Sequence, residues 1–249
     1  MHVNDATSGN GGTPPPAAAP PTVSVVISAY SDERWDALRD AVTSVRGQTR
    51  PAHQVIVSVD HNPALLQRAH AEWPDGSVVL VENSEPQGLS GARNAGIALA
   101  TSDLIAFLDV DDLWPHGMLL TLVREWAVGG ADVVIGRAQV VEIDPTTAVE
   151  LPVGTPDTAF PHYIGSAVYD RRVFDRVGTF DAQMMFGEDT DWFTRLAESG
   201  TALRRLSAVT LVVRRHGQNM TEGRDLVELH VVRAVKKALD RKRDREHTP

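Results

Sequence analysis

Cysteine is missing altogether from the 249 residues. That excludes disulfides, thiolate zinc sites and a cysteine nucleophile, and it suits a reducing compartment. Positive charge is in short supply, with 24 Lys and Arg against 33 Asp and Glu and a formal charge of -9. A chain so acidic is a poor partner for a polyphosphate duplex, so nucleic acid is not expected as a ligand. No apolar run approaches the roughly 18 to 20 residues needed to span a bilayer. Met1 to Pro21 has neither the basic n-region nor the apolar h-region of a secretory signal, so the expected localisation is cytoplasmic. Three phosphate- and acyl-handling loops are also missing: G-x-x-x-x-G-K-[ST], G-x-G-x-x-G after a strand, and G-x-S-x-G. P-loop, dinucleotide and serine-hydrolase chemistries are disfavoured accordingly.

What is present is ordinary globular composition, 42% hydrophobic and 23% charged, enough for one large domain. Residues 1–21, rich in Gly, Pro and Ala, read as a disordered leader because they hold little apolar surface to offset their ordering entropy. From Thr22 the pattern changes. Apolar runs at Thr22–Tyr30, Gln54–Val59, Ser77–Glu82 and Leu104–Asp109 read as strands covered on both faces. Helical patterns at Trp35–Val45, Ala64–Trp73 and Gly91–Ala100 alternate with them. The alternation predicts a mostly parallel α/β sheet, whose ligands sit at the carboxyl ends of its strands.

The second half is less regular. It predicts a helix over Gly117–Val128, two strands meeting near Gly136 within Asp132–Ile143, and a Pro-rich loop from Asp144 to Pro161. Helices at Arg171–Val177 and Glu188–Ser199 and a strand at Val209–Arg214 follow. A basic helix is expected over 224–249. Its stretch Arg233–Glu246 holds seven basic and three acidic residues, so the rest of the chain is near -13. Such a segment suits either a solvated helix end or peripheral contact with the inner face of an anionic membrane.

The strongest chemical feature is "AFLDVDD", Ala106–Asp112. A buried strand delivers three carboxylates within four residues, and such a cluster repels itself unless a cation sits among them. Oxygen-only ligands suit Mg2+ or Mn2+ and leave coordination positions for phosphate oxygens. Asp112 alone also suits a helix N-cap. A haloacid-dehalogenase-type phosphatase would use a similar aspartate pair, but after its first strand and with Thr or Val where Leu113 stands.

Taken in order, "VSVVISAY", "GLSGARNAGI" (88–97), "AFLDVDD", "FGEDTDWFTRL" (186–196) and "VRRHGQNMT" (213–221) resemble family 2 glycosyltransferases of the GT-A fold. The resemblance covers about Thr22 to Thr221 and implies a GT-A domain over 22–223. It implies inverting transfer from a nucleotide-diphospho-sugar, assisted by Mg2+ or Mn2+. By it, Asp109 and Asp111 match the D-x-D pair at the diphosphate and metal, and His216 matches a C-terminal metal ligand. Asp189 of "GEDTDW" matches the base that takes the acceptor proton, and Glu188 orients acceptor or metal ligands. The lesser alternative is that Glu188, Asp189 and Asp191 only satisfy a helix start. Ala29, Tyr30 and Asp60 fall at the nucleotide, although Val59, His61, Asn62 and Ser31 depart from the family pattern. Arg93 is a candidate diphosphate contact or a tie from its helix to a carboxylate. Gly165 and Ser166, in a loop before the acid, and Trp192 are the acceptor candidates, although for Trp192 and Trp114 the core is the favoured place over a sugar platform. A UDP-sugar is favoured over GDP- or dTDP-sugars, with a glycan, lipid or small-molecule acceptor. The rival reading is a non-catalytic nucleotide-sugar binding protein.

Overall fold

A computed structural model describes residues 19–144, 146–147, 149–157, 162–215 and 231–247. The four early apolar runs become parallel strands, β1 (Val23–Ala29), β2 (Gln54–Val59), β3 (Val79–Glu82) and β4 (Leu104–Asp109), in the spatial order β3-β2-β1-β4. Helices α1 (Trp35–Arg46), α2 (Pro63–Glu72) and α3 (Leu89–Leu99) connect them. The chain winds outward from β1 to β3 and then returns to β1's other side at β4. The strand order therefore reverses between β1 and β4, and the crevice beyond their carboxyl ends is where α/β sheets of this kind bind ligands.

Burial on both faces explains the near-continuous apolar runs. Val25 and Ile27 of β1 pack with Leu38 of α1, Leu65 of α2 and Met118 and Leu122 of α4 (Met118–Ala127). Val26 points the other way, to Phe107, Phe174 of α5 (Arg172–Val177), and Trp192, Phe193 and Leu196 of α6 (Glu188–Glu198). Each such side chain, fully buried, contributes about 1.5–3 kcal/mol.

The second half extends the sheet in mixed fashion, and here three expectations need correction. Asp132–Ile143 is one strand, β5 (Val133–Ile143), not two. At Gly136 the pairing with β8 (Leu203–Arg215) shifts register, and a Cβ there would lie 2.3 Å from Thr210 Oγ1. The glycine thus marks a bulge with close side-chain approach rather than a turn. The expected Pro-rich loop contains a strand, β6 (Glu150–Asp157). It ends the strand order, so Pro152 and Pro156 sit where a missing donor is tolerated. β8 begins six residues earlier than its apolar stretch, because Leu203–Arg205 pair with Val133–Ile135 despite their charge. β7 (Ala167–Asp170) runs antiparallel to both β4 and β5 and joins the halves.

The final helix is α7, Val231–His247. Residues 224–230 of the expected basic helix, most of the leader and His216 lie outside the described residues. No described helix is long and apolar enough to cross a membrane.

Candidate active site

Asp109 ends β4, paired in register with Ser28 of β1, so its carboxylate stands at the strand-order reversal. Glu188 and Asp189 open α6, where aligned backbone dipoles favour negative charge. α3 supplies the group that joins them. Arg93 is only 1% exposed and donates from Nη2 to Asp109 Oδ1 at 3.0 Å and Oδ2 at 3.2 Å. From Nη1 it reaches Asp189 Oδ1 at 2.6 Å and Glu188 Oε1 at 3.4 Å. Its guanidinium also lies over the Phe180 ring, 5.3 Å from the centroid. Of the two roles the sequence left open for Arg93, the geometry displays the tie to carboxylates.

Position and charge of this cluster follow from local structure. Asn94 exchanges two hydrogen bonds with the backbone of Phe180, at 2.9 and 3.0 Å, fastening α3 to the segment before α6. Gly91 lets α3 start against the preceding loop, since a Cβ would come within 2.6 Å of Pro86 O. One cation then faces three carboxylates. Burial, followed by repulsion from Asp189, pushes Glu188 up to about 7. Burial also raises Asp189, against the pull of Arg93. Although burial works against the charge of Arg93, Asp109, Asp189 and Glu188 hold it protonated. Asp109 and Asp189 remain 34% and 28% exposed, so both are reachable from the crevice.

The rest of the acidic loop is held from two directions. Arg34, in the short 3-10 turn after β1, donates to Asp111 Oδ2 at 2.5 Å. Arg214 of β8 donates from Nε to the Asp111 carbonyl at 2.8 Å and from its backbone N to Asp112 Oδ1 at 3.3 Å. Leu113 and Val212 exchange backbone hydrogen bonds at 2.9 and 3.0 Å, stitching the loop to β8. Asp112 is therefore not a helix cap: α4 begins six residues later, behind Gly117. Its carboxyl is pushed well above the usual range by burial and then by Asp109 and Asp111.

On the nucleotide side, Ala29 is buried at the end of β1 and Tyr30 is exposed. Asp60 accepts from Asn83 Nδ2 at 2.7 Å through Oδ1 and from Gly88 N at 2.9 Å through Oδ2. His61 Nδ1 lies 3.0 Å from the same Oδ1. Asn83 and Arg34 were not singled out in the sequence. Asn83 follows β3 directly, and a strand-end Asn before Ser and Pro is a local turn signal that could have found it.

The acceptor candidates are all buried. Trp192 is wholly buried, stacked on Phe174 with centroids 5.2 Å apart, and donates to Gly178 O. It fills the core and presents no face to a ligand, because α6 turns it under the sheet. Gly165 and Ser166 are also buried. Gly165 O accepts from Trp114 Nε1 at 2.9 Å, and Ser166 O accepts from Thr210 Oγ1 at 2.7 Å.

Among the described residues no three His, Asp or Glu side chains converge as a ready metal cage. Asp109 and Asp111 nevertheless present carboxylate oxygens side by side at the end of β4, where Arg93 and Arg34 already hold them as anions. That donor set fits a hard divalent cation sharing its coordination with phosphate oxygens.

The fold has close counterparts. Over 82% of this chain and 62% of theirs, the coordinates superpose on S. aureus TarS 1-349, crystallised in complex with UDP-GlcNAc, with TM-score 0.65 at 15% identity. The uncharacterized glycosyltransferase YwdF of Bacillus subtilis is 27% identical over 71% of this chain and 68% of its own. The glucosyl-dolichyl phosphate glucuronosyltransferase of Haloferax volcanii is 32% identical over 64% of this chain and 56% of its own. This chain thus spans between about half and two thirds of the length of these relatives. The pattern described as glycosyl transferase family 2 matches residues 24–185. With that match running from β1 through β7 and including Arg93, Asp109 and Asp111, the chain belongs to glycosyl transferase family 2.

Proposed function

We propose that the chain transfers a glycosyl group from a nucleotide-diphospho-sugar to an acceptor hydroxyl with inversion at the anomeric carbon. The observation that carries this is the Arg93 guanidinium holding Asp109, at the end of β4, and Asp189, at the start of α6, on one buried centre. A leaving diphosphate needs positive charge, and an attacking hydroxyl needs a base on the other side of the sugar. Asp109 and Asp111 stand at the diphosphate end and Asp189 at the acceptor end.

Asp189 accepts the acceptor proton, and its hydrogen bond from Arg93 fixes the carboxylate's orientation. Glu188, pushed up to about 7 by burial and then by Asp189, shares the same guanidinium and sits beside the base. Asp111 and Asp109 would hold Mg2+ or Mn2+, which supplies charge stabilisation to the departing diphosphate. His216 is proposed as a further ligand on the resemblance alone. Asp60 Oδ2 takes one hydrogen bond from Gly88 and keeps a second lone pair for a base N–H. The likeness to a UDP-GlcNAc-bound fold favours a uridine donor, and the Haloferax relative's name favours a lipid-linked acceptor. Gly165 and Ser166 would shape the acceptor wall through their backbone.

Calorimetric titration with UDP and with GDP, each with and without Mn2+, tests the reading, with Asp111→Ala as control. Metal-dependent binding of one nucleotide, lost in the control, is expected. Failure of both nucleotides to bind would overturn the donor site.

A further inference from the structure

The side chains of α7 divide sharply by face. Ala234, Lys237, Arg241 and Arg245 share one side of the helix. Ala234 is buried, and the three cations are engaged by the domain. Lys237 Nζ reaches Asp181 Oδ2 at 2.6 Å, Arg241 reaches Asp191 Oδ1 at 2.9 Å and Glu198 Oε2 at 3.0 Å, and Arg245 reaches Glu198 Oε2 at 3.3 Å. Much of the positive charge concentrated in this segment is therefore directed inward, onto α6 and the turn before it.

The opposite side carries Val232, Val235 and Leu239, which are 61%, 50% and 53% exposed. Their i, i+3, i+7 spacing makes one stripe. Lys236, Lys242 and Arg243 flank it and are exposed too, with Arg243 also 3.8 Å from Asp240 within the helix.

We infer that this outer face of α7 is a docking surface for an anionic lipid bilayer, on which the helix lies flat. Branched aliphatic side chains bordered by long cationic ones suit the headgroup boundary: the stripe enters the acyl edge while the cations snorkel to phosphate. Local charge favours this partner: Lys236, Lys242 and Arg243 border the stripe and outnumber Asp240 and Asp244 of the same stretch. A second copy using the same face would set the same cations against themselves. A nucleic acid would leave the central aliphatic stripe without a partner. The inner ion pairs hold the face outward, so docking needs no rearrangement of the domain. Because α7 is clamped on α6, bilayer contact would also fix the height of Glu188 and Asp189 above the lipid, with α6 spanning roughly 16 Å.

Docking is independent of the transfer chemistry and is tested by binding alone. The full chain is floated with phosphatidylcholine vesicles, with and without phosphatidylglycerol, at low and high salt. Flotation only with the anionic vesicles, weakened by salt, is expected. Lys236→Gln with Arg243→Gln should lower partitioning about 25-fold, roughly fivefold per cation. Val235→Ser with Leu239→Ser should lower it about tenfold or more. All four positions are exposed, so unchanged thermal melting shows that the variants remain folded. Absence of flotation, equal flotation with neutral vesicles, or self-association abolished by Val235→Ser with Leu239→Ser in place of lipid binding would each overturn the inference.

Discussion

The first turn of α6 treats its acids in opposite ways on its two sides. Glu188 and Asp189 share a single cation, Arg93, with Asp109. Asp191, only 1% exposed, has Arg195, Arg241 and Lys237 around it. Burial would raise all three carboxyls. Arg195 and the α7 cations outweigh it at Asp191, whose carboxyl lies below its usual range, whereas Glu188 rises to about 7. The lesson is that an acid's role here follows from the number of cations facing it, not from its place in "GEDTDW". Asp191 is matched by three cations and structural; Glu188 and Asp189, with one cation shared among three carboxylates, are raised instead.

The contrast is most directly broken at the base. Asp189→Asn should lower the transfer rate by about 10² to 10⁴ while nucleotide affinity stays near wild type; steady-state rates with titration calorimetry check this, and a retained rate would remove Asp189 as base. Arg93→Met comes next. It strands three carboxylates around a buried site and should cost about 3–5 kcal/mol in denaturant unfolding, alongside loss of transfer. Asp191→Asn should cost about 3 kcal/mol of stability by releasing three cations, yet leave turnover per folded molecule nearly unchanged. If it abolished turnover without destabilising, the division between the two sides of that turn would be wrong.

A subtler test uses pH. Glu188 has a raised carboxyl in the folded protein, so its contribution to stability is greatest at low pH and is lost as pH rises from about 4.5 toward 7. Glu188→Gln should therefore stabilise by about 1–3 kcal/mol at pH 8 and change little at pH 4. Asp191, held low, has the opposite slope: its contribution is present above about 3.8 and disappears as pH falls below it. Unfolding curves of the two single variants across pH should diverge in opposite directions.

The first half of the fold was legible because its strands are buried on both faces. Their apolar runs need no partner information to be seen, and glycine and proline separate them from the helices. β6 and the start of β8 were not legible for the converse reason. Glu150–Asp157 is an exposed edge strand, and Leu203–Arg205 is charged, so pairing with β5 defines both. The acidic motifs were readable as groups of residue types, but not their wiring. Nothing in the spacing of "ARN" says that Arg93 would span from β4 to α6, or that Arg34 would stand on Asp111. Those contacts link residues far apart in sequence. Trp192 shows the same limit: beside a carboxylate motif its ring offers a sugar platform as well as the favoured core place, and the turn of α6 settles it beneath the sheet.

The Leu113–Val212 stitch makes the acidic loop and the end of β8 one unit in time as well as in space. Their amides should exchange with solvent at matching rates, since neither can open while the other stays paired. The loop that carries Asp111 is thereby tied to β8 as well as to β4, so a substitution that loosens the end of β8 is expected to reach Asp111.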